Sequence, residues 1–529
     1  MAWRGATAGG QWKFPLIFTG DDVGEDLRVD CDVCVVGSGP GGAVLALALV
    51  EKGLHVVMLE EGSHKTRRDF DLTEATAFPA LYQDHGNRAT DDLAILILQG
   101  RSVGGGTTVN WCSSFRPPPR VLTHWQERYG LEHLTEEALR PHFEALERRL
   151  HIAEWPLERM NSNNRKLWEG LGALGYARDL IRRNVHNCAN LGYCGLGCPI
   201  DAKQSMGVTL IPDAVEKGLV VYANAWARRL VHSGGRVSAV EAEVSDPATD
   251  LPKGVTLTVH ARVTAVCGGA INSPALLLRS ELNGGGRVGQ RTFLHPVVVS
   301  TAEYDEPIEP WSGAPQSVSS HHFAERGPGQ VGFFLEVAPA LPMLSAVNTT
   351  GFGVEHRAQM ARLPFSGNVI GIAVDGLLGA EDAGGTVRLH RTSPRRVHVD
   401  YPIRAPYPEA FHAAMREMAR IQFAAGAKIV RSLQMPAQEM KSPDDIDRVL
   451  GSGSWERLRV RVVTAHQMGG CLMGSDPARS VVDEALAYRG LDNLFVVDGS
   501  VFPTALGVNP QETIMGLARL HAPGVAAAV

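Results

Sequence analysis

The stretch Cys31-Asp32-Val33-Cys34-Val35-Val36-Gly37-Ser38-Gly39-Pro40-Gly41-Gly42-Ala43-Val44-Leu45-Ala46 decides the fold. An apolar run rich in β-branched residues breaks at glycines and continues as an alanine- and leucine-rich stretch to Lys52, which predicts strand, turn and helix. Gly53 suits the end of that helix, and Leu54-His55-Val56-Val57-Met58-Leu59 predicts a second strand closing on Glu60. The result is a βαβ unit of Rossmann type. In its turn Gly37 permits the tight bend, Gly39 lets backbone N–H groups approach a pyrophosphate, and Gly42 lets helix and strand pack closely. Glu60 falls where a carboxylate can accept hydrogen bonds from a ribose. The unit alone fits FAD or NAD equally.

Working outward, the chain has 529 residues, enough for about three to four domain equivalents. Hydrophobic residues at 44%, charged residues at 20% and a mean hydropathy of -0.06 are those of an ordinary globular enzyme. A net charge of -6 provides no basic field for nucleic acid. Residues 1–20 lack a basic segment followed by a sustained apolar one, and no apolar run approaches the roughly 18 residues of a membrane span, so a cytoplasmic protein without a transmembrane segment is expected. Eight cysteines are too sparse for a disulfide scaffold. Cys31, Cys34, Cys112, Cys267 and Cys471 are scattered in apolar or tight contexts; Cys188, Cys194 and Cys198 cluster.

Further along, 135–150 has a helix-friendly composition, strands are expected near 220–222 and 237–244, and a second strand-turn-helix runs from 263 to 279. Beyond Pro296 the pattern loosens into β-like segments until about Gly385, taken as a second, substrate-side domain. Residues 410–430 have helical periodicity, and from Thr464 short apolar runs and dense glycine return.

Three more glycine-rich signatures follow the first turn: Gly100-Arg101-Ser102-Val103-Gly104-Gly105-Gly106-Thr107-Thr108-Val109-Asn110, Gly268-Gly269-Ala270-Ile271-Asn272-Ser273-Pro274 and Gly289-Gln290-Arg291-Thr292-Phe293-Leu294-His295-Pro296. With Ala465-His466-Gln467-Met468-Gly469-Gly470-Cys471-Leu472-Met473-Gly474, Val497-Asp498-Gly499-Ser500-Val501-Phe502-Pro503 and Asn509-Pro510, they resemble the glucose-methanol-choline (GMC) oxidoreductases, a family of FAD enzymes. The resemblance covers nearly the whole chain. It implies an α/β fold with a discontinuous FAD-binding domain (28–120, 185–298 and 460–529) and a substrate-binding domain of sheet and helices with lid segments (121–184 and 299–459). It also implies FAD contacts at Gly37, Gly39, Gly42, Glu60, Gly104, Gly105, Gly106, Asn110, Ala227, Gly268, Asp498, Gly499, Asn509 and Pro510. Some members attach the flavin through a histidine before the asparagine; Val109 stands there, which implies noncovalent FAD.

His466 matches the histidine that takes the hydroxyl proton of an alcohol while its α-hydride moves to flavin N5, and Asn509 matches a second active-site position. The chemistry suits them: a neutral imidazole can accept a proton and an amide can donate to a developing alkoxide. His295, beside Pro296, is expected to be structural. Most relatives carry an arginine before the Met-Gly of the histidine motif; Leu472 stands there, which puts the local hydrogen bonding in question. The partners implied are a small-molecule alcohol and oxygen or another electron acceptor.

The stretch from Cys188 to Pro199, followed by Asp201-Ala202-Lys203-Gln204-Ser205, resembles the cysteine loop of long-chain alcohol oxidases and implies a hydrophobic alcohol. Two alternatives stay open for its thiols: an iron–sulfur cluster feeding an electron-transfer partner, or a disulfide from Cys188, with reduced thiols the default. A lyase or photodecarboxylase on the same scaffold and a noncatalytic nucleotide-binding protein are the rival functions. Phe333, Phe334, Phe352 and Phe365 could line an apolar pocket or simply build core.

Overall fold

A computed structural model describes residues 16–377, 384–432, 434–435, 437–451 and 458–529. Residues 1–15 of the N-terminal stretch discussed above lie outside the described residues. The βαβ unit is present as strand Leu27–Val36, helix Pro40–Val50 and strand Val56–Leu59, the two strands parallel and adjacent. The helix is apolar on nearly every side because it packs against both the C-terminal helix Gln511–Ala527 and the helix Leu210–Glu216. These strands lie in an eight-stranded sheet. Its order runs Ile17–Phe18, Val220–Tyr222, Val56–Leu59, Leu27–Val36, Pro252–Val266, Arg236–Ser245, Ala225–Ser233, with Leu494–Val496 also paired to Pro252–Val266.

The long strand Pro252–Val266 runs parallel to both Leu27–Val36 and Leu494–Val496, so three segments far apart in sequence end together at one crevice. Ligands in doubly wound sheets bind at such carboxyl ends. Backbone contact locks the three together. Gly37 has φ +108°, and a Cβ there would stand 2.3 Å from the Cys267 carbonyl oxygen; a Cβ on Gly41 would stand 2.0 Å from that of Val497. Only glycine fits either position.

A second sheet has seven strands, with Phe333–Glu336, Ser366–Ala373, Val297–Glu303, Ile429–Ser432 and Glu439–Met440 in order and Val462–Thr464 and Ile95–Ile97 joined at one side. The alternation of a strand splits its residues between two environments. Val298, Ala302, Val369 and Ala373 enter a core closed by the helices Tyr407–Ala424 and Ser162–Ala173. Val297, Val299, Ile370 and Ile372 face a cavity instead.

Several elements differ from expectation. The helical stretch 410–430 is a helix only over Tyr407–Ala424; the chain then turns at Gly426, where φ is +90°, and enters the strand Ile429–Ser432. Tertiary pairing with Val297–Glu303 overrides the local periodicity there. The region read as β-like contains two helices, Pro342–Asn348 and Val354–Ala361, and Pro119 opens a helix, Pro119–Tyr129, at the first helical position where proline is tolerated. Among the described residues no helix is long and apolar enough to cross a membrane.

Candidate active site

A cavity of about 480 Å³ runs from the glycine turn, along the loop at 105–110, to His466 and Asn509, and on between the strands of the second sheet. Of the fourteen residues expected to hold the cofactor, twelve line it: Gly37, Gly39, Glu60, Gly105, Gly106, Asn110, Ala227, Gly268, Asp498, Gly499, Asn509 and Pro510. Gly42 and Gly104 stand behind the wall. A Cβ on Gly42 would lie 2.0 Å from the Gly37 carbonyl oxygen, and Gly104 donates its N–H to Ser38 Oγ at 2.9 Å.

The nucleotide end is built for an anion. Gly39 caps the helix Pro40–Val50 without a side-chain hydrogen bond, and a Cβ on it would meet nothing within 4 Å, so the first-turn N–H groups face open space. Glu60, at the end of its strand, is held by the turn itself. Its Oε2 accepts from the Ser38 N–H at 3.1 Å and the Ser38 hydroxyl at 2.5 Å, and its Oε1 from the Gly62 N–H at 2.8 Å. Asp498 is fixed in the same way by Gly269 N–H at 2.8 Å, Ser273 Oγ at 2.5 Å and Ser500 N–H at 2.8 Å. Burial pushes both carboxyls above their ordinary range, and these donors pull them back. In the middle of the cavity, Asn110 Nδ2 donates to Gln511 Oε1 at 2.7 Å, and buried Val109 precedes it.

At the far end three polar side chains meet apolar walls. The nearest nitrogens of His466 and Asn509, Nε2 and Nδ2, are 3.2 Å apart, and Asn509 Nδ2 lies 3.4 Å from Glu336 Oε2. Glu336 also accepts from Gln316 Nε2 at 2.7 Å, while its Oε1 and the Asn509 Oδ1 are buried with no hydrogen-bond partner among the described residues. Desolvation raises the Glu336 carboxyl to about 8, against the pull of Asn509 and Gln316. It also lowers His466 to about 4 and holds His295 well below its ordinary value, so both imidazoles are neutral near neutrality.

The direction of one backbone bond then orders the protons. Gly507 N–H donates to His295 Nε2 at 3.1 Å, so the neutral His295 carries its proton on Nδ1. Nδ1 lies 3.2 Å from His466 Nδ1, which accepts, and the His466 proton is left on Nε2, toward which the Asn509 amide then presents its oxygen rather than its nitrogen.

Glu336, Gln316 and this role of His295 escaped the reading of the sequence. The signal available for Glu336 was a carboxylate closing the apolar run Phe333-Phe334-Leu335. The phenylalanines are not pocket walls: Phe333 and Phe334 are core, Phe352 is 89% exposed, and neither Phe352 nor Phe365 lines the cavity. The apolar walls come from valines and isoleucines of the second sheet, with Leu344, Met360 and Leu363 from its helices and turns.

In the cysteine loop all the thiols are unbridged, Cys188 included, and among the described residues no three His, Cys, Asp or Glu side chains converge as a metal site.

The GMC oxidoreductase family matches at residues 78–297 and 381–518, and an FAD-binding domain at 30–69. An uncharacterized GMC-type oxidoreductase of Mycobacterium tuberculosis is 32% identical over 489 residues, 92% of this chain and 74% of that protein. A long-chain-alcohol oxidase of Arabidopsis thaliana is 29% identical over 523 residues, 94% of this chain and 67% of that one. Among solved structures, pyridoxine 4-oxidase superposes with a TM-score of 0.67 at 20% identity, over 93% of this chain and 99% of that one, which establishes the shared fold.

Proposed function

This chain belongs to the GMC oxidoreductase family and is an FAD-dependent oxidoreductase acting on alcohols, and we propose that its substrate is a hydrophobic alcohol oxidised to the aldehyde or ketone. The observation that carries this reading is the polar cluster His466, Asn509 and Glu336 standing where the nucleotide crevice opens into a branch walled by Val297, Val299, Ile370 and Ile372. The bound FAD supplies the hydride acceptor. Glu60 orders the turn at Ser38 and Asp498 the turn at Gly269, the two that would hold it, and Val109 leaves it without a covalent tether.

The residues divide the proton work. With its proton on Nε2, His466 donates a hydrogen bond to the substrate oxygen and stabilises charge developing there. Glu336 is the proton acceptor, a role the resemblance had implied for His466. An ionised carboxylate desolvated enough to titrate near 8 is a far better base than an ordinary one. With Glu336 protonated, the Asn509 amide, whose nitrogen and oxygen are alike in shape, presents Oδ1 to both Glu336 and His466 Nε2–H; with Glu336 ionised it presents Nδ2 to the carboxylate, and His466 Nε2–H is free for the substrate oxygen. The hydrocarbon part of the substrate lies along the second sheet.

Turnover of straight-chain primary alcohols, followed as aldehyde formed, tests the substrate class. Each added methylene buried in the branch is worth about 0.8 kcal/mol, so kcat/KM is expected to rise about fourfold per carbon until the branch is filled. Sugars or choline turned over in preference to alkanols would overturn the assignment.

A further inference from the structure

Behind the flavin loop, two cations are buried without an acid to match them. Arg183 is 1% exposed and Lys203 2% exposed, and among the described residues neither has a carboxylate within ion-pair distance. Lys203 Nζ donates to the carbonyl oxygens of Thr108 at 2.7 Å, Asn110 at 2.6 Å and Cys194 at 2.8 Å, which uses all three protons of an ammonium. Arg183 lies over the Trp155 ring at 4.9 Å; its Nη2 donates to the Trp111 carbonyl at 3.2 Å and stands 3.7 Å from Cys194 Sγ, while Nε and Nη1 have no hydrogen-bond partner among the described residues. Unpaired buried charge is costly, and the acidic groups that face these cations are thiols: Cys112, Cys188, Cys194 and Cys198. Cys112, fully buried, shares a thiol hydrogen bond with Cys194, which is partly accessible.

We propose that Cys194, held as a thiolate by Arg183 and Lys203, forms with Cys112 an oxidisable pair that a peroxide converts to a disulfide. The hydrogen bond from the Cys112 thiol and the two cations hold the Cys194 thiol well below its ordinary range, whereas its bond to Cys194 and burial keep Cys112 protonated. The thiolate sulfur attacks a peroxide oxygen, the O–O bond breaks, and Cys194 becomes a sulfenic acid as hydroxide leaves. The Cys112 sulfur then attacks the sulfenic sulfur. The S–S bond forms, the S–O bond breaks, and the Cys112 proton leaves with that oxygen as water. In sum, two thiols and one hydrogen peroxide give one disulfide and two waters. Cys112 lies two residues after Asn110, and Lys203 ties the carbonyls of that same loop, so the oxidation removes the anion balancing the cation that braces the flavin site. No step uses the alcohol, so the pair and the substrate assignment stand or fall separately.

The test is hydrogen peroxide, one equivalent, added to the FAD-loaded full chain without substrate, followed by peptide mapping without reduction. The free-thiol count, eight in the untreated chain, is expected to fall by two with a Cys112–Cys194 cross-link. In Cys112→Ser the reaction stops at a sulfenic acid on Cys194 that dimedone traps. The rate of Cys194 oxidation rises with pH through a midpoint at least about two units below the ordinary thiol value of about 8.5, and Arg183→Lys, which keeps the charge, preserves a low midpoint. An ordinary midpoint in the unaltered chain, or peroxide leaving Cys112 and Cys194 free, overturns the proposal without any variant being needed.

Discussion

In Glu336→Gln, kcat is expected to fall about 10²- to 10⁴-fold, the range for a lost general base, and the pH dependence of kcat/KM is expected to change shape. The sign follows from the carboxyl's environment. Burial raises Glu336 to about 8, so the basic form is present above that pH and is lost as pH falls through it. The unaltered enzyme therefore gains activity with pH through an apparent value near 8. Glutamine preserves the bulk and the hydrogen-bond reach toward Gln316 and Asn509 but cannot take a proton, so this rise disappears while FAD content holds. A rise that survives in Glu336→Gln assigns the titration to another group and removes Glu336 from the proton path.

His466→Ala is expected to lower kcat about 10²- to 10³-fold, the loss of one donor aimed at a developing oxyanion. Its signature differs from that of Glu336→Gln. The base remains, so the rise of activity through about 8 persists on the lowered baseline. Were His466 the proton acceptor, its alanine variant would lose the titrating limb and Glu336→Gln would keep it. The pair of profiles thus separates two roles that a single loss of activity would leave mixed.

The nucleotide end was legible in the sequence because its chemistry is local. Gly37, Gly39 and Gly42 lie within six residues, each for a backbone reason, and Glu60 follows at the end of the next strand. At the proposed reaction end, motifs in the sequence mark only His466 and Asn509. Glu336 reaches Asn509 across 173 residues because the strand Phe333–Glu336 pairs with Ser366–Ala373, and no local pattern encodes that pairing. The protonation of His466 is subtler still. It depends on a backbone N–H at Gly507 acting through His295, 212 residues away, and His295 could be read as structural but not as the residue that sets a tautomer. The phenylalanines, which the sequence left open between pocket wall and core, show the same limit. Alternation along Val297–Glu303 decides which residues face the cavity, and which face is which depends on where the helix Tyr407–Ala424 packs.

The central claim is that this site takes a hydride from an alcohol carbon. Anaerobic mixing of the FAD-loaded chain with a long-chain primary alcohol, protonated or dideuterated at the α-carbon, tests it most directly. The flavin absorbance is expected to bleach with one aldehyde formed per flavin, and several-fold more slowly with the deuterated alcohol. No bleaching by aliphatic, terpene, aromatic or steroid alcohols would contradict the account and favour a lyase on the same scaffold.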